Sequence, residues 1–222
     1  MTALHTLSAI ELLSAYTGKA LSPVEVVRAV LQHIEQCEPK MHATYALDPL
    51  GALAQAEASQ ARWLRGEPQG ALDGVPVTIK ENIATRGVPT PLGTAATQLV
   101  PAERDAPPAA RLREAGAVIL GKTTMPDYGM LSSGLSSFHP LTRNPWDLSK
   151  NPGGSSAGAA AASAAGYGPL HIGTDIGGSV RLPASWCGIF ALKPSLGRVP
   201  ICPPYAGRVA GPMTRSVQDA AL

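Results

Sequence analysis

Short apolar segments alternate with helical patterns along this chain of 222 residues, and that alternation constrains its fold more than any other feature. In the segment 22–25, serine suits the N-cap of a helix, proline its first turn and glutamate a capping box. Apolar residues then recur at helical spacings, so we expect this helix to continue to about Cys37. We predict further helices over 52–64, 109–115 and 156–165, and strands over 75–79, 117–120 and 170–172. The pattern predicts an α/β fold with a mixed β-sheet core flanked by helices.

Proline and glycine punctuate the sequence, with 21 and 23 residues respectively, which predicts many loops and tight turns around the buried elements. Pro76 lies inside the apolar segment 75–79 and cannot donate a hydrogen bond to a neighbouring strand. We therefore expect that strand at a sheet edge or in irregular pairing. No internal repeat or low-complexity linker divides the sequence, so we expect a single domain over 1–222.

The composition excludes several classes of function. A hydrophobic content of 45% and a charged content of 15% are typical of a soluble globular protein. The net charge of +2, without a cluster of lysine and arginine, argues against a nucleic-acid-binding surface. We find no apolar run long enough to span a bilayer and no basic region typical of a signal peptide. We expect a cytoplasmic protein that contacts neither nucleic acid nor membrane directly.

Metal and disulfide sites are not predicted. Cys37, Cys187 and Cys202 are odd in number and have no CxxC spacing, and the five histidines have no metal-ligand spacing. His171 precedes a glycine-rich loop, but we expect it to have a core or loop role. No cofactor is expected.

Two glycine-rich serine loops and a lysine carry the candidate chemistry. Ser155 lies in NPGGSSAG and Ser179 in GTDIGGSVRLP, each beside a Gly-Gly pair. Glycine lets the backbone approach a substrate closely, so that N–H groups can face an oxyanion. Lys80 ends the apolar segment VPVTIK, where burial would lower its pKa and suit it as a general base. Candidates for nucleophile, relay and base are therefore all present.

Two shorter motifs suggest other chemistry, and we reject both. The segment 116–123 matches the P-loop pattern GxxxxGK[ST], but its central residues AVIL favour a strand and Pro126 follows too soon for a helix. The segment 154–158 matches GxSxG, the nucleophile elbow, but no apolar strand precedes Ser156. Neither nucleotide binding nor a nucleophilic Ser156 is expected.

Together the motifs PGGSSAG, GTDIGGSVRLPA and DGVPVTIKEN resemble the amidase signature family of serine hydrolases. Weaker matches extend over nearly the whole chain, namely AGAVILGKTTMPDYG, TRNPWD, CGIFALKPSLGRVP and GPMTRS. Several motifs in the right order and with the right separations make the match specific, although each alone would be weak. The resemblance implies the amidase signature fold and an amidase, which hydrolyses a carboxylic amide to an acid and ammonia or an amine through an acyl-serine intermediate.

The resemblance also implies a role for each candidate residue. Ser179 would be the nucleophile, Ser155 the bridging serine held by a cis peptide bond, and Lys80 the base of a Ser-Ser-Lys triad. Asp175 and Arg181 would support the nucleophile loop through hydrogen bonds and an ion pair. The oxyanion hole would be formed by the backbone N–H groups of Ile176, Gly177, Gly178 and Ser179.

The sequence departs from the family's usual pattern at three positions. Ala157 and Pro140 stand where glycine is common, and Leu182 stands where the A subunits of tRNA-dependent amidotransferases typically carry glutamine. Leu182 therefore favours a general amidase, and a glutaminase subunit of such an amidotransferase stays as an alternative.

Length leaves a third alternative open. Family members are usually considerably longer, so the resemblance implies a single domain that is incomplete at its C-terminus, and an inactive truncated fragment remains an open alternative. The expected partner is a small-molecule amide substrate. A homodimer is an open alternative to a monomer.

Overall fold

The computed structural model describes residues 3–222, which form helices on both sides of one sheet. The helices are α1 (Ala9–Thr17), α2 (Pro23–Met41), α3 (Pro49–Arg65), α4 (Pro107–Glu114), α5 (Ala157–Ala165), α6 (Arg181–Cys187) and α7 (Val217–Ala221). The strands are β1 (Thr44–Tyr45), β2 (Pro76–Lys80), β3 (Val118–Thr123), β4 (Leu170–Asp175), β5 (Phe190–Ala191) and β6 (Val209–Thr214). Short 3₁₀ segments lie at Leu4–Thr6 and Asp127–Gly129. No helix within this range is long and apolar enough to cross a membrane.

The sheet has six strands in the order β1-β3-β2-β4-β6-β5. The central strands β3, β2 and β4 are parallel, whereas β1, β6 and β5 pair antiparallel with their neighbours. The prediction of an α/β fold with a mixed sheet is therefore confirmed. Parallel strands end at the same edge of a sheet, so the ends of β2 and β4 bring Lys80 and Asp175 to one edge.

The pairing of β2 decides between an edge position and irregular pairing, the two alternatives expected for this strand. The strand lies inside the sheet between β3 and β4 rather than at an edge. Pro76 is its first residue, a place where a missing N–H interrupts no ladder. The alternative expectation of irregular pairing is confirmed, because the register with β3 shifts between Val77 and Thr78.

Two hydrophobic clusters lie on opposite faces of the sheet. Val118 and Leu120 pack into a cluster with α2, α3 and α5, whereas Ile119 between them packs into a cluster with α4 and β2. This alternation follows from the two-residue period of side chains along a strand. The small residues of α5 permit close packing. A side chain at Gly158 would lie 2.1 Å from the carbonyl oxygen of Ala43.

Capping chemistry accounts for most helix starts. The predicted start of α2 is confirmed, because the Ser22 hydroxyl accepts from Glu25 N and the Glu25 carboxylate accepts from Ser22 N. The helix continues beyond Cys37 to Met41 and includes Pro39. The sequence analysis missed α1, although Ser8 and the glutamate three residues later form the same capping box.

Candidate active site

Lys80 occupies a fully buried position at the end of β2. Its ammonium Nζ donates to Ser155 Oγ at 2.8 Å and to Ser156 Oγ at 3.1 Å. Burial lowers the pKa of Lys80 to about 7, with a further lowering by the positive charge of Arg208, whereas the carboxylate of Glu81 opposes the shift. A substantial fraction of this lysine is thus neutral near neutral pH, as a general base requires.

Ser155 precedes α5 in a loop that brings its hydroxyl to the end of β2. The peptide bond between Gly154 and Ser155 is cis. Gly154 lies so close to the segment 131–133 that a side chain there would lie 2.5 Å from the carbonyl oxygen of Ser133. The glycine before the serine is therefore required by close backbone approach.

Ser179 lies in the loop between β4 and α6, and its carbonyl oxygen accepts from Ser156 N at 3.0 Å. This backbone contact joins the two glycine-rich serine loops. Ser179 and Ser155 both line one open cavity of about 370 Å³. Within residues 3–222, the hydroxyls of Ser155 and Ser179 form no hydrogen bond with each other. Hydrogen bonds between catalytic groups often tighten only when substrate binds.

The carboxylate of Asp175 holds the loop that carries Ser179. Arg181 donates Nε to Oδ2 at 3.1 Å and Nη2 to Oδ1 at 2.9 Å, while the N–H groups of Gly178 and Val180 donate at 2.9 and 3.0 Å. Burial opposes ionisation of Asp175, but the Arg181 guanidinium and these N–H groups outweigh it and lower the pKa of the carboxyl to about 2. The loop is therefore fixed around an ionised side chain.

Three of the four residues predicted for the oxyanion hole line the cavity, and their N–H groups are unengaged within residues 3–222. Ile176, Gly177 and Ser179 line the cavity, and within residues 3–222 their N–H groups form no hydrogen bond in the loop. Gly178 differs, because its N–H donates to Asp175 and the residue does not line the cavity. In this structure the N–H group of Gly178 holds the loop, and its place among the oxyanion-hole donors stays a prediction.

Most of the chain matches one known protein family. The amidase family model matches residues 25–222. The chain belongs to the amidase family.

Individual relatives of this chain include amidotransferase subunits and amidases. The A subunit of the glutamyl-tRNA(Gln) amidotransferase from Bdellovibrio bacteriovorus is 43% identical over 96% of the chain, and the alignment covers 44% of that protein. A bacterial aryl acylamidase of the amidase signature family superposes with a TM-score of 0.90 at 36% identity, covering 99% of this chain and 47% of that one. The peptide amidase of Stenotrophomonas maltophilia has a TM-score of 0.88 and 36% identity, covering 96% and 46%. The chain spans less than half the length of each.

Two features of the candidate site were not predicted from the sequence. The Ser156 hydroxyl is buried and forms hydrogen bonds with Lys80 Nζ, with Thr174 O at 3.2 Å and with Thr174 N at 3.3 Å. Ser156 thus positions the lysine and links the loop to β4. Its adjacency to Ser155 in GGSS is the only sequence signal for this role.

The second feature is a buried pair beside the catalytic lysine candidate. Glu81 is fully buried, and its Oε2 lies 2.6 Å from His139 Nε2. His139 lies at the end of the segment 128–139. Residues 128–132 at the start of that segment line the cavity. The pair therefore anchors a cavity wall to the end of β2. A histidine in an irregular segment gives no sequence signal for such a contact.

The rejected P-loop match and His171 both have structural roles. The segment 118–123 of the P-loop match is strand β3, as predicted, and Lys122 Nζ donates to the carbonyl oxygen of Ile83 at 2.8 Å. His171 is buried, with Nδ1 2.7 Å from Thr78 Oγ1 and Nε2 3.2 Å from Gly168 O. Residues 3–222 contain no group of three histidine, cysteine or acidic side chains that could hold a metal ion.

Proposed function

We propose that this chain carries the catalytic residues of an amidase that hydrolyses small linear amides through an acyl-Ser179 intermediate. One observation carries the proposal: buried Lys80 donates to Ser155 at 2.8 Å at a cavity that Ser179 also lines. A serine hydroxyl is a weak nucleophile, and a neutral amine reached through a second hydroxyl can activate it. Membership of the amidase family supports the reaction class. The cytoplasm remains our expected location.

In the acylation half-reaction, Ser179 Oγ forms a bond with the amide carbonyl carbon. Its proton passes to Ser155, whose own hydroxyl proton passes to neutral Lys80. The carbonyl oxygen becomes an oxyanion, which the N–H groups of Ile176, Gly177 and Ser179 would bind. Collapse of the tetrahedral intermediate breaks the C–N bond. The leaving nitrogen takes the proton from Lys80 through Ser155, and the acyl-enzyme remains.

Deacylation uses the same groups with water in place of the amine. Water gives a proton through Ser155 to Lys80 and bonds to the acyl carbon. The C–Oγ bond then breaks, Ser179 recovers a proton from the relay, and the carboxylic acid leaves. Lys80 is neutral again at the end, so one amide and one water give one acid and one amine or ammonia. No metal or redox group enters this sequence of steps.

Covalent labelling with a fluorophosphonate, located by peptide mass spectrometry, tests the proposal. We expect the label on Ser179 of the wild-type chain. Lys80→Met should suppress labelling because the relay loses its base. Lys122→Met is the matched control, since Lys122 is also a buried lysine at a strand end but donates to a main-chain carbonyl.

The outcomes separate the proposal from the alternative of a truncated fragment. Labelling of Ser179 that persists in Lys80→Met would contradict the role of the lysine. A chain that unfolds cooperatively on heating but takes no label would contradict the proposed activity of this chain and favour an inactive fragment. Thermal unfolding of each variant shows that a lost label reflects lost chemistry rather than lost folding.

A second candidate function is the release of ammonia from glutamine for an amidotransferase. It is favoured by the 43% identity with the amidotransferase protein of Bdellovibrio bacteriovorus. Leu182, at the cavity, argues against it because the A subunits of such enzymes typically carry glutamine at the matching position. Ammonia release from glutamine but not from propionamide, together with co-purification of partner subunits, would favour the glutaminase. Hydrolysis of simple amides by the isolated chain would favour the amidase.

A further inference from the structure

The cavity that Ser155 and Ser179 share is lined by a positive charge and by no negative one within residues 3–222. Arg208 is its single charged lining side chain within the described range 3–222, and no aspartate or glutamate lines it. The other polar groups of the wall are uncharged hydroxyls and the amide of Asn82. A partly enclosed cavity with one positive charge attracts anions, because low-dielectric walls focus the field of that charge.

Arg208 is also free of an internal counter-ion. Within the part of the chain that the structure describes, its guanidinium forms no ion pair and no side-chain hydrogen bond, whereas Arg62, Arg113 and Arg181 each pair with an aspartate. Its guanidinium carbon lies 4.3 Å from the ring centroid of Tyr205, a cation–π contact that orients the group. The N–H donors at the edge of the guanidinium therefore remain available to a ligand.

The backbone holds Arg208 at the start of β6. Its N–H donates to the carbonyl oxygen of Tyr205 at 3.0 Å and closes a turn immediately before the strand. The same positive charge contributes to the lowered pKa of Lys80, second to burial. The field of Arg208 thus reaches the site of the proposed chemistry. An anionic group bound at Arg208 would partly neutralise that field.

We propose that Arg208 binds a carboxylate on the substrate, so that the preferred substrates are amides that also carry a carboxylate group. This inference rests on the proposed amidase function. A guanidinium is suited to the role because its planar donors match the two oxygens of a carboxylate in a bidentate pair. Tyr205, whose ring lies against the guanidinium, and Tyr128 line the same cavity and supply apolar ring surface to it. Arg208 is therefore a specificity-determining residue rather than a catalytic one.

Equilibrium binding separates this inference from catalysis. Succinamate and succinamide have the same shape. Succinamate carries a carboxylate where succinamide carries a second, uncharged amide. We would titrate both, by isothermal calorimetry, into Ser179→Ala protein, which cannot form the acyl-enzyme. Succinamate should bind about tenfold or more tightly than succinamide, as expected for one charge-assisted bidentate contact. Adding Arg208→Gln should abolish the preference, and Arg208→Lys should retain part of it.

Arg198→Gln is the matched control. Arg198 is exposed on the segment that leads to Arg208 and lies outside the cavity, so its loss removes the same charge without removing the contact. The preference should persist in this variant. Equal affinity for the two ligands in the parent protein, or a preference that survives Arg208→Gln, would overturn the inference.

The two proposals can fail separately. If Ser179 takes no fluorophosphonate but succinamate binds through Arg208, the amidase proposal fails and the anion site stands. If Ser179 is labelled and simple amides are hydrolysed, but the ratio of kcat/KM for succinamate to that for succinamide is the same in wild type and Arg208→Gln, the anion site fails alone. The statistical factor of two for the diamide cancels in this comparison.

Discussion

Lys80 Nζ lies 2.8 Å from Ser155 Oγ, although 75 residues separate the two along the chain. The contact forms because Lys80 ends a central strand and Ser155 ends a loop whose glycines approach neighbouring backbone closely. Since Ser156 Oγ lies 3.1 Å from the same nitrogen, two consecutive serines hold one lysine. We therefore expect the labelling of Ser179 and the stability of the protein both to depend on the charge state of Lys80.

We expect the rate of Ser179 labelling to follow the deprotonation of Lys80. Its pKa is lowered to about 7, chiefly by burial, so the neutral base is scarce in acid and dominant in weak alkali. The rate should rise about tenfold per pH unit below about pH 7 and level off above it. Fluorophosphonate labelling measured from about pH 5 to about pH 9 checks this. A flat profile over that range would contradict a lysine base.

The same lowered pKa predicts how stability depends on pH. The unfolded chain protonates Lys80 up to about pH 10.5 and the folded chain only up to about pH 7, so between these values unfolding takes up a proton. The free energy of unfolding therefore rises with pH between these two values. The cost of burying the charged lysine is greatest below about pH 7. Lys80→Met should stabilise the protein most near neutral pH and progressively less towards about pH 10.

Urea unfolding of wild type and Lys80→Met at several pH values measures this difference. Lys150→Met is the control, because Lys150 is exposed and loses no burial cost when its charge is removed. If the gain in stability of Lys80→Met over wild type grew with pH, the pKa of Lys80 would be raised rather than lowered in the folded protein, and the lysine would be buried in its charged form.

Ser156 should matter for positioning rather than as a nucleophile. Ser156→Ala removes one of the two hydroxyls at Lys80 Nζ and the hydrogen bonds that Ser156 Oγ makes with the main-chain N–H and carbonyl oxygen of Thr174. We expect a loss of about 1–3 kcal/mol in the free energy of unfolding and slower labelling that still occurs at Ser179. Ser163→Ala is the control, since Ser163 is equally buried on α5 and its hydroxyl has no hydrogen-bond partner within residues 3–222. Equal effects of the two substitutions would rule out a positioning role.

The carboxylate of Asp175 should control the geometry of the oxyanion donors. In the wild type, both carboxylate oxygens of Asp175 accept hydrogen bonds from Arg181, Gly178 and Val180. Asp175→Asn keeps only one acceptor oxygen, so the loop that presents Ser179 should shift. We expect the labelling rate to fall about a hundredfold, since small misplacements of reacting groups have effects of this size. Asp147→Asn, at an exposed turn, should leave the rate unchanged. Wild-type labelling in Asp175→Asn would mean that the loop is held by other contacts.

The sequence predicts this fold and site unevenly, for physical reasons. Capping residues and apolar periods are local signals, and they placed α2 and the strands β2, β3 and β4, whereas β1, β5 and β6 were not predicted. Of the two alternatives expected for β2, irregular pairing is confirmed and an edge position is not, because Pro76 begins the strand and the first residue of a strand needs no donor. The positions of Lys80, Ser155 and Ser179 followed from motifs, and their catalytic roles stay predictions. The contacts of Glu81 and Arg208 depend on irregular segments, whose paths no local pattern specifies.

The buried Glu81–His139 pair gives the last prediction, because it links the end of β2 to the cavity wall. His139→Ala leaves the buried Glu81 carboxyl without this partner, and its Oε1 already has none within residues 3–222. We expect a loss of about 3 kcal/mol in the free energy of unfolding, measured by urea titration. Glu114→Ala breaks the exposed Arg111–Glu114 pair and should cost less than about 1 kcal/mol. Similar small losses in both variants would mean that water replaces His139 as the partner of Glu81.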